Sequence, residues 1–114
     1  MIDLDALFLI AKERQRQIEE EGWDESHDDE HEHGELAAAA ACYSIPPETP
    51  NFNSLKMELW PWSDEWWKPK GRVSDLVRAG ALILAELERI RREETNKMLE
   101  AFADADIADS EEGK

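Results

Sequence analysis

Residues 27–44 read His-Asp-Asp-Glu-His-Glu-His-Gly-Glu-Leu-Ala-Ala-Ala-Ala-Ala-Cys-Tyr-Ser, a dense set of acids and histidines that runs straight into alanines. Alanine is the strongest helix former and has almost no side-chain volume. The stretch therefore predicts a helix, from near Asp29 to about Ser44, that another backbone approaches closely. Pro46 and Pro47 stop it. Gly34 inside its first turns costs about 1 kcal/mol against alanine, which points to close approach of a ligand or a second backbone. Glu32 and Glu35 are three apart, so on a helix they share one face, a turn from each other. Carboxylates placed that way repel. A divalent cation with hard oxygen ligands compensates them most simply. The competing reading is a solvated acidic helix start favoured by the macrodipole.

The partner of that helix is residues 72–94, the clearest helical pattern in the chain. Leu76, Ile83, Leu87 and Ile90 make an apolar stripe, and Ala79 with Gly80 allows a close crossing. Antiparallel packing of the alanine run on Ala79-Gly80-Ala81 with matched ends would bring Asp75 within reach of Glu32 or Glu35. Residues 3–21 read as a first helix, with Leu4, Leu7, Phe8, Ala11 and Ile18 near helical spacing. Asp3 or Asp5 caps its start and Gly22 ends it. Trp23 follows as a packing staple, and residues 24–29 form an acidic loop holding His27. The fold class expected is all-α.

Residues 45–71 form a long connection that carries four of the five tryptophans, Trp60, Trp62, Trp66 and Trp67. Free exposure of these rings would be a solubility liability. They pack on the domain, form an interface, or line a pocket for a flat ligand. Lys68 and Lys70 follow them directly, and an aromatic wall beside two lysines suits a nucleobase and its phosphates. Residues 95–114 are acidic and alanine-rich. Met98, Leu99 and Phe102 there suit a short docking helix, followed by a mobile tail.

Composition bounds the function. The 114 residues suit one small domain, with charged residues at 36% and a formal net charge of −15. That charge excludes a basic nucleic-acid groove and disfavours an anionic membrane surface. A phosphate ligand would need metal ions to bring positive charge. The single cysteine, Cys42, permits no disulfide within the chain and reads as a small buried helix residue in a reducing compartment. The first apolar run is short and is preceded by acids, unlike a signal peptide. No apolar run approaches a membrane span. A soluble cytoplasmic protein is expected.

His31-Glu32-His33-Gly34-Glu35-Leu36-Ala37 resembles the Glu-Glu-x-Gly-Glu-Leu-Ala segment of the MazG-like all-α nucleoside triphosphate pyrophosphohydrolases. Those proteins carry Glu-x-x-Glu on one helix and Glu-x-x-Asp on a later one, and the four acids hold magnesium. Glu13-Arg14-Gln15-x-Gln17, Glu21-Gly22-Trp23, His27-Asp28-Asp29, Cys42-Tyr43, Trp60-Pro61-Trp62, Trp66-Trp67-Lys68-Pro69 and Asp75-Leu76-Val77-x-Ala79-Gly80-Ala81-Leu82-Ile83 resemble the phage and prophage dATP/dGTP diphosphohydrolase family. That family is similar to the MazZ enzymes of phages that replace adenine with 2-aminoadenine. The likeness spans residues 6–92.

The resemblance implies a MazG-like helical bundle over residues 1–94, with the tryptophan-rich loop between the two central helices and residues 95–114 as an acidic C-terminal helix or tail. It implies cleavage of the α–β phosphate bond of a purine deoxynucleoside triphosphate, dGTP or dATP, to the monophosphate and pyrophosphate. Glu32, Glu35 and Asp75 would be the catalytic metal ligands for Mg2+ or Mn2+, with Glu35 orienting or deprotonating the water. Lys68, Lys70 and Arg78 would hold phosphates, and Trp66 or Trp67 would stack on the base. A homodimer or homotetramer is implied, in a bacterial host and encoded by a phage or prophage. The pattern departs at Arg72, which stands where the first acid of Glu-x-x-Asp belongs. Asp28, Asp29, His31 and Glu86 are unranked candidates to replace it. Three rival readings accompany this one: a nucleotide-binding protein without catalysis, an acidic DNA mimic, and a transition-metal site built from His27, His31 and His33.

Overall fold

Asp3 starts the first helix, its carboxylate accepting the Asp5 and Ala6 amides at 2.9 and 3.1 Å. In this computed structural model, which describes residues 1–112, the elements in order are α1 (Leu4–Glu20), α2 (Glu25–Asp29), α3 (Glu35–Ser44), α4 (Phe52–Leu59), a 3-10 turn (Asp64–Trp66) and α5 (Arg72–Glu112). The chain is all-α, with no strand among the described residues. None of the described helices is long and apolar enough to cross a membrane.

The alanine-rich helix packs as its composition dictates. Leu36, Ala39, Ala40, Cys42 and Tyr43 of α3 are buried against Ala79, Leu82 and Ala85 of α5. The two run antiparallel. Arg72 at the start of α5 donates to the carbonyl of Ser44 at the end of α3 (2.8 Å), and Arg78 donates to the Tyr43 hydroxyl (3.2 Å). α1 lies across α5 at Gly80, and α2 is fastened to both. The Arg14 guanidinium, itself 5% exposed, donates to Asp28 on α2 at 2.6 Å, to Glu88 on α5 at 2.8 Å and to the Trp23 carbonyl at 2.9 Å.

Several expectations are corrected. The helix expected from Asp29 to Ser44 starts only at Glu35, because Gly34 ahead of it takes a left-handed φ of +82°, and the acidic loop expected at 24–29 is largely the short helix α2. Glu32 thus lies in a turn ahead of α3 and does not share a helical face with Glu35. The connection 45–71 is no plain loop, since α4 and the 3-10 turn lie within it. α5 runs unbroken for 41 residues, about 60 Å at 1.5 Å per residue. Met98, Leu99 and Phe102 therefore sit exposed on its distal half and form no separate docking helix. Of the mobile tail expected at the chain end, residues 113 and 114 lie outside the described residues and the residues before them belong to α5. Finally, the Leu76, Ile83, Leu87 and Ile90 stripe is 37–54% exposed, because α5 turns its smaller face, Ala79, Leu82 and Ala85, to the core.

The α1–α5 crossing sets a testable limit. A Cβ at Gly80 would lie 2.8 Å from Ile10 Cδ1 and 3.0 Å from its Cγ1. Gly80→Ala gains about 1 kcal/mol of helix propensity, but overpacking costs about 1–3 kcal/mol. The net change expected is a lower urea midpoint, partly restored by adding Ile10→Val, which removes Cδ1. A higher midpoint in Gly80→Ala alone would contradict the close crossing.

Candidate functional site

A cavity of about 660 Å³ opens between the end of α1, α2, the C-terminal part of α3 and the tryptophan connection. Its walls are largely aromatic: Trp23, His27, His31, Tyr43, Trp60, Trp62 and Trp66 all line it. Local sequence explains each position. Gly22 ends α1 and Trp23 follows at once, its amide returning to the Gln17 carbonyl at 3.0 Å. Asp24 caps α2 through the His27 amide at 3.0 Å. The four-residue spacing of Trp23, His27 and His31 then stacks the rings along one side. The His27 ring lies parallel to Trp23, with centroids 5.5 Å apart, and meets His31 edge-on at 4.8 Å. Trp62 closes that wall against His31 at 5.4 Å and Trp23 at 6.0 Å.

The opposite wall is anchored in the core. Trp60 is nearly buried, donates its indole N–H to the Ser63 carbonyl at 3.1 Å, and meets Trp62 edge-on at 5.4 Å. Tyr43 stacks on Trp67 at 4.6 Å. The Tyr43 hydroxyl accepts from the Lys68 amide (3.3 Å) and from Arg78 (3.2 Å), while Arg78 also donates to the Lys68 carbonyl (3.2 Å). These bonds hold the connection onto α3 and α5.

The lining carries both signs of charge, with Glu20 and Glu21 paired with Arg16, and Arg78 lying 3.9 Å from Glu13. Glu20, Glu21 and Glu30 contribute carboxylates, and Lys68 and Arg78 contribute the cations. The Lys68 ammonium lies 5.6 Å from the Trp66 ring, and the Arg78 guanidinium lies 5.2 Å from the Tyr43 ring. Cation–π contacts of this kind orient a charge beside a π-face without neutralising it.

The expected site residues divide. Trp66, Lys68 and Arg78 line the cavity. Trp67 does not: it packs between Tyr43, Trp60 and Lys56. The Lys70 amide donates to Asp75 at 2.8 Å, so Asp75 serves as a cap at the start of α5 and is almost buried there. Glu35 lies at the other end of α3, a 10-residue helix spanning about 14 Å. It accepts from His31 at 3.1 Å and from the His33 amide at 2.8 Å. Burial raises its carboxyl, but those hydrogen bonds and one from its own amide outweigh that and hold it below the usual carboxylate range. Glu32 is exposed beside Asp29, Arg89, Arg92 and Glu93 in a separate charged groove.

Glu32, Glu35 and Asp75 thus do not converge, because α5 runs antiparallel to α3 with Arg72 bonded at Ser44, which leaves Asp75 toward the C-terminal end of α3 and Glu35 at its N-terminal end. Of the other candidates, Asp28 is wholly buried on Arg14, Asp29 pairs with Arg92 at 2.8 Å and Glu86 pairs with Arg89 at 2.6 Å. No group of three or more His, Cys, Asp or Glu side chains among the described residues is placed to hold a metal ion. Glu32, Glu35 and Asp75 form no such group in this arrangement, and neither do His27, His31 and His33. Cys42 is buried and its thiol is pushed up by burial, with Lys56 pulling weakly the other way, so it is a packing residue.

Sequence reasoning named Trp60 and Trp62 among the rings that pack or line a pocket, but missed Tyr43 and the wall-forming role of His27 and His31, and it read Trp23 only as a packing staple. The available signal was the i, i+4, i+8 spacing of Trp23, His27 and His31. No protein-family model, curated protein or solved structure matches the chain.

Proposed function

We propose that the chain binds a purine deoxynucleoside triphosphate, dGTP or dATP, with its base in the aromatic cavity, and cleaves it between the α and β phosphates to release the monophosphate and pyrophosphate. The observation that carries the binding half is the cavity itself. Its volume of about 660 Å³ lies in the range of small-molecule sites. Its lining offers π-faces on two sides, and stacking on such faces is worth about 1–3 kcal/mol per base. Trp66 and Trp62 flank the base. Lys68 and Arg78 take the phosphates, and repulsion from Glu30 favours that cationic edge for the phosphate tail. The cleavage half rests on the motif resemblance. The dispersed acids favour a second reading, a nucleotide-binding protein without turnover.

Pyrophosphate release from a panel of nucleoside and deoxynucleoside triphosphates, with magnesium, with manganese and with chelator, separates the two. Release from dGTP or dATP that chelator abolishes is expected, with Trp62→Ala losing about tenfold or more in kcat/KM. Tight binding with no release would select the second reading. Neither binding nor release would contradict both.

A homodimer or homotetramer is part of the same proposal. Leu7 and Phe8 on α1 and Ile83 and Leu87 on α5 are 48–64% exposed on either side of the Gly80 crossing. Large apolar side chains exposed on two packed helices suit a protein contact. Sedimentation equilibrium is expected to give a dimer or tetramer, and Ile83→Glu with Leu87→Glu is expected to dissociate it to a folded monomer. A wild-type monomer at high concentration would contradict this.

A further inference from the structure

Two imidazoles in the cavity wall are held in one tautomer. His27 Nδ1 lies 3.0 Å from Asp28 Oδ1, and Asp28 is wholly buried with its other oxygen on Arg14 at 2.6 Å. His31 Nδ1 lies 3.1 Å from Glu35 Oε2, and the other Glu35 oxygen accepts the His33 amide at 2.8 Å. An ionised carboxylate only accepts hydrogen bonds, so each Nδ1 carries the proton and donates it. In the neutral form of a ring that donates from Nδ1, Nε2 is the acceptor. Neither Nε2 has a hydrogen-bond partner among the described residues, and both rings line the cavity, with centroids 4.8 Å apart.

We infer that His27 and His31 are specificity-determining residues that read the base by accepting hydrogen bonds at Nε2 from its donor-bearing edge. The ligand class this selects is a purine with an exocyclic amino group. The inference rests on the cavity being the base site. Trp23 stacked on His27 and Trp62 against His31 fix the two rings, so the acceptors are set before the base arrives. Bases that present only a carbonyl oxygen or a C–H at that edge leave a lone pair unanswered in an aromatic enclosure. Such an unpaired group costs most of a hydrogen bond's worth of affinity.

The test is quenching of tryptophan fluorescence by paired ligands that differ only in the amino group: dGTP against dITP, and dATP against the triphosphate of purine deoxyriboside. The wild-type protein is expected to bind the amino-bearing member of at least one pair about tenfold more tightly. His31→Phe and, separately, His27→Phe keep an aromatic ring in the wall but remove the acceptor. Each is expected to bring the pair within about twofold while leaving the affinity for the deaminated member nearly unchanged. A merely structural role would weaken both members alike. Far-UV circular dichroism checks that each variant folds, and His31→Phe stands alone if the loss of the Asp28 partner unfolds His27→Phe. Equal binding of both members by the wild-type protein would overturn the inference while leaving the nucleotide site intact. Failure to bind any purine nucleotide would overturn the base site and the inference with it.

Discussion

One buried cation organises this strongly acidic chain. Arg14 is held by Asp28, Glu88 and the Trp23 carbonyl at once, so a single guanidinium joins α1, α2 and α5. Its planar fork suits that task, where a lysine would make a point contact. A buried ion pair need not add stability over apolar packing. Removing one partner, however, strands the other and costs about 3–5 kcal/mol. The acid-rich segment between α1 and α3 is thereby fastened to the bundle rather than left as a solvated run. Asp28 in turn holds the His27 ring, and the fixed Trp23 carbonyl sets the tryptophan beside it. The same interaction that closes the fold therefore builds one wall of the cavity.

The other wall has a different origin. The connection between α3 and α5 has little regular structure of its own beyond α4 and one 3-10 turn. It is ordered by its rings, with Trp60 and Trp67 packed on Tyr43 and the backbone at Lys68 bonded to the Tyr43 hydroxyl and Arg78. Trp62 and Trp66 are then free to face the cavity. Packing and binding are divided among tryptophans that the sequence sets within eight residues of one another.

Helix positions followed from the alanine run, the caps and the apolar spacing, and those were legible. So was the pairing of the alanine run with Ala79-Gly80-Ala81, since small side chains favour close helix contact wherever both partners offer them. The outward turn of the Leu76–Ile90 stripe was not legible. Spacing identifies an apolar face but not whether it meets this chain or another. Gly34 was read as a point of close approach, yet nothing lies within 4 Å of where its Cβ would stand; the position needs glycine for its positive φ, which separates Glu32 from the α3 face. Asp75 was misplaced because an antiparallel pair puts the start of one helix beside the end of the other. The aromatic wall near Lys68 was foreseen. That Trp67 would pack on Tyr43 and Trp60 while Trp23 lines the cavity is a tertiary outcome that no local pattern encodes.

The central claim is that the aromatic cavity receives a purine base. The five tryptophans provide their own reporters in a titration with dGTP or dATP followed by indole N–H resonances in a 1H–15N spectrum. The account predicts large shifts for Trp23, Trp62 and Trp66, which line the cavity. It predicts a much smaller shift for Trp67, which packs on Tyr43 and Trp60 outside the cavity lining. Shifts confined to Trp67, or no shift at saturating nucleotide, would contradict it.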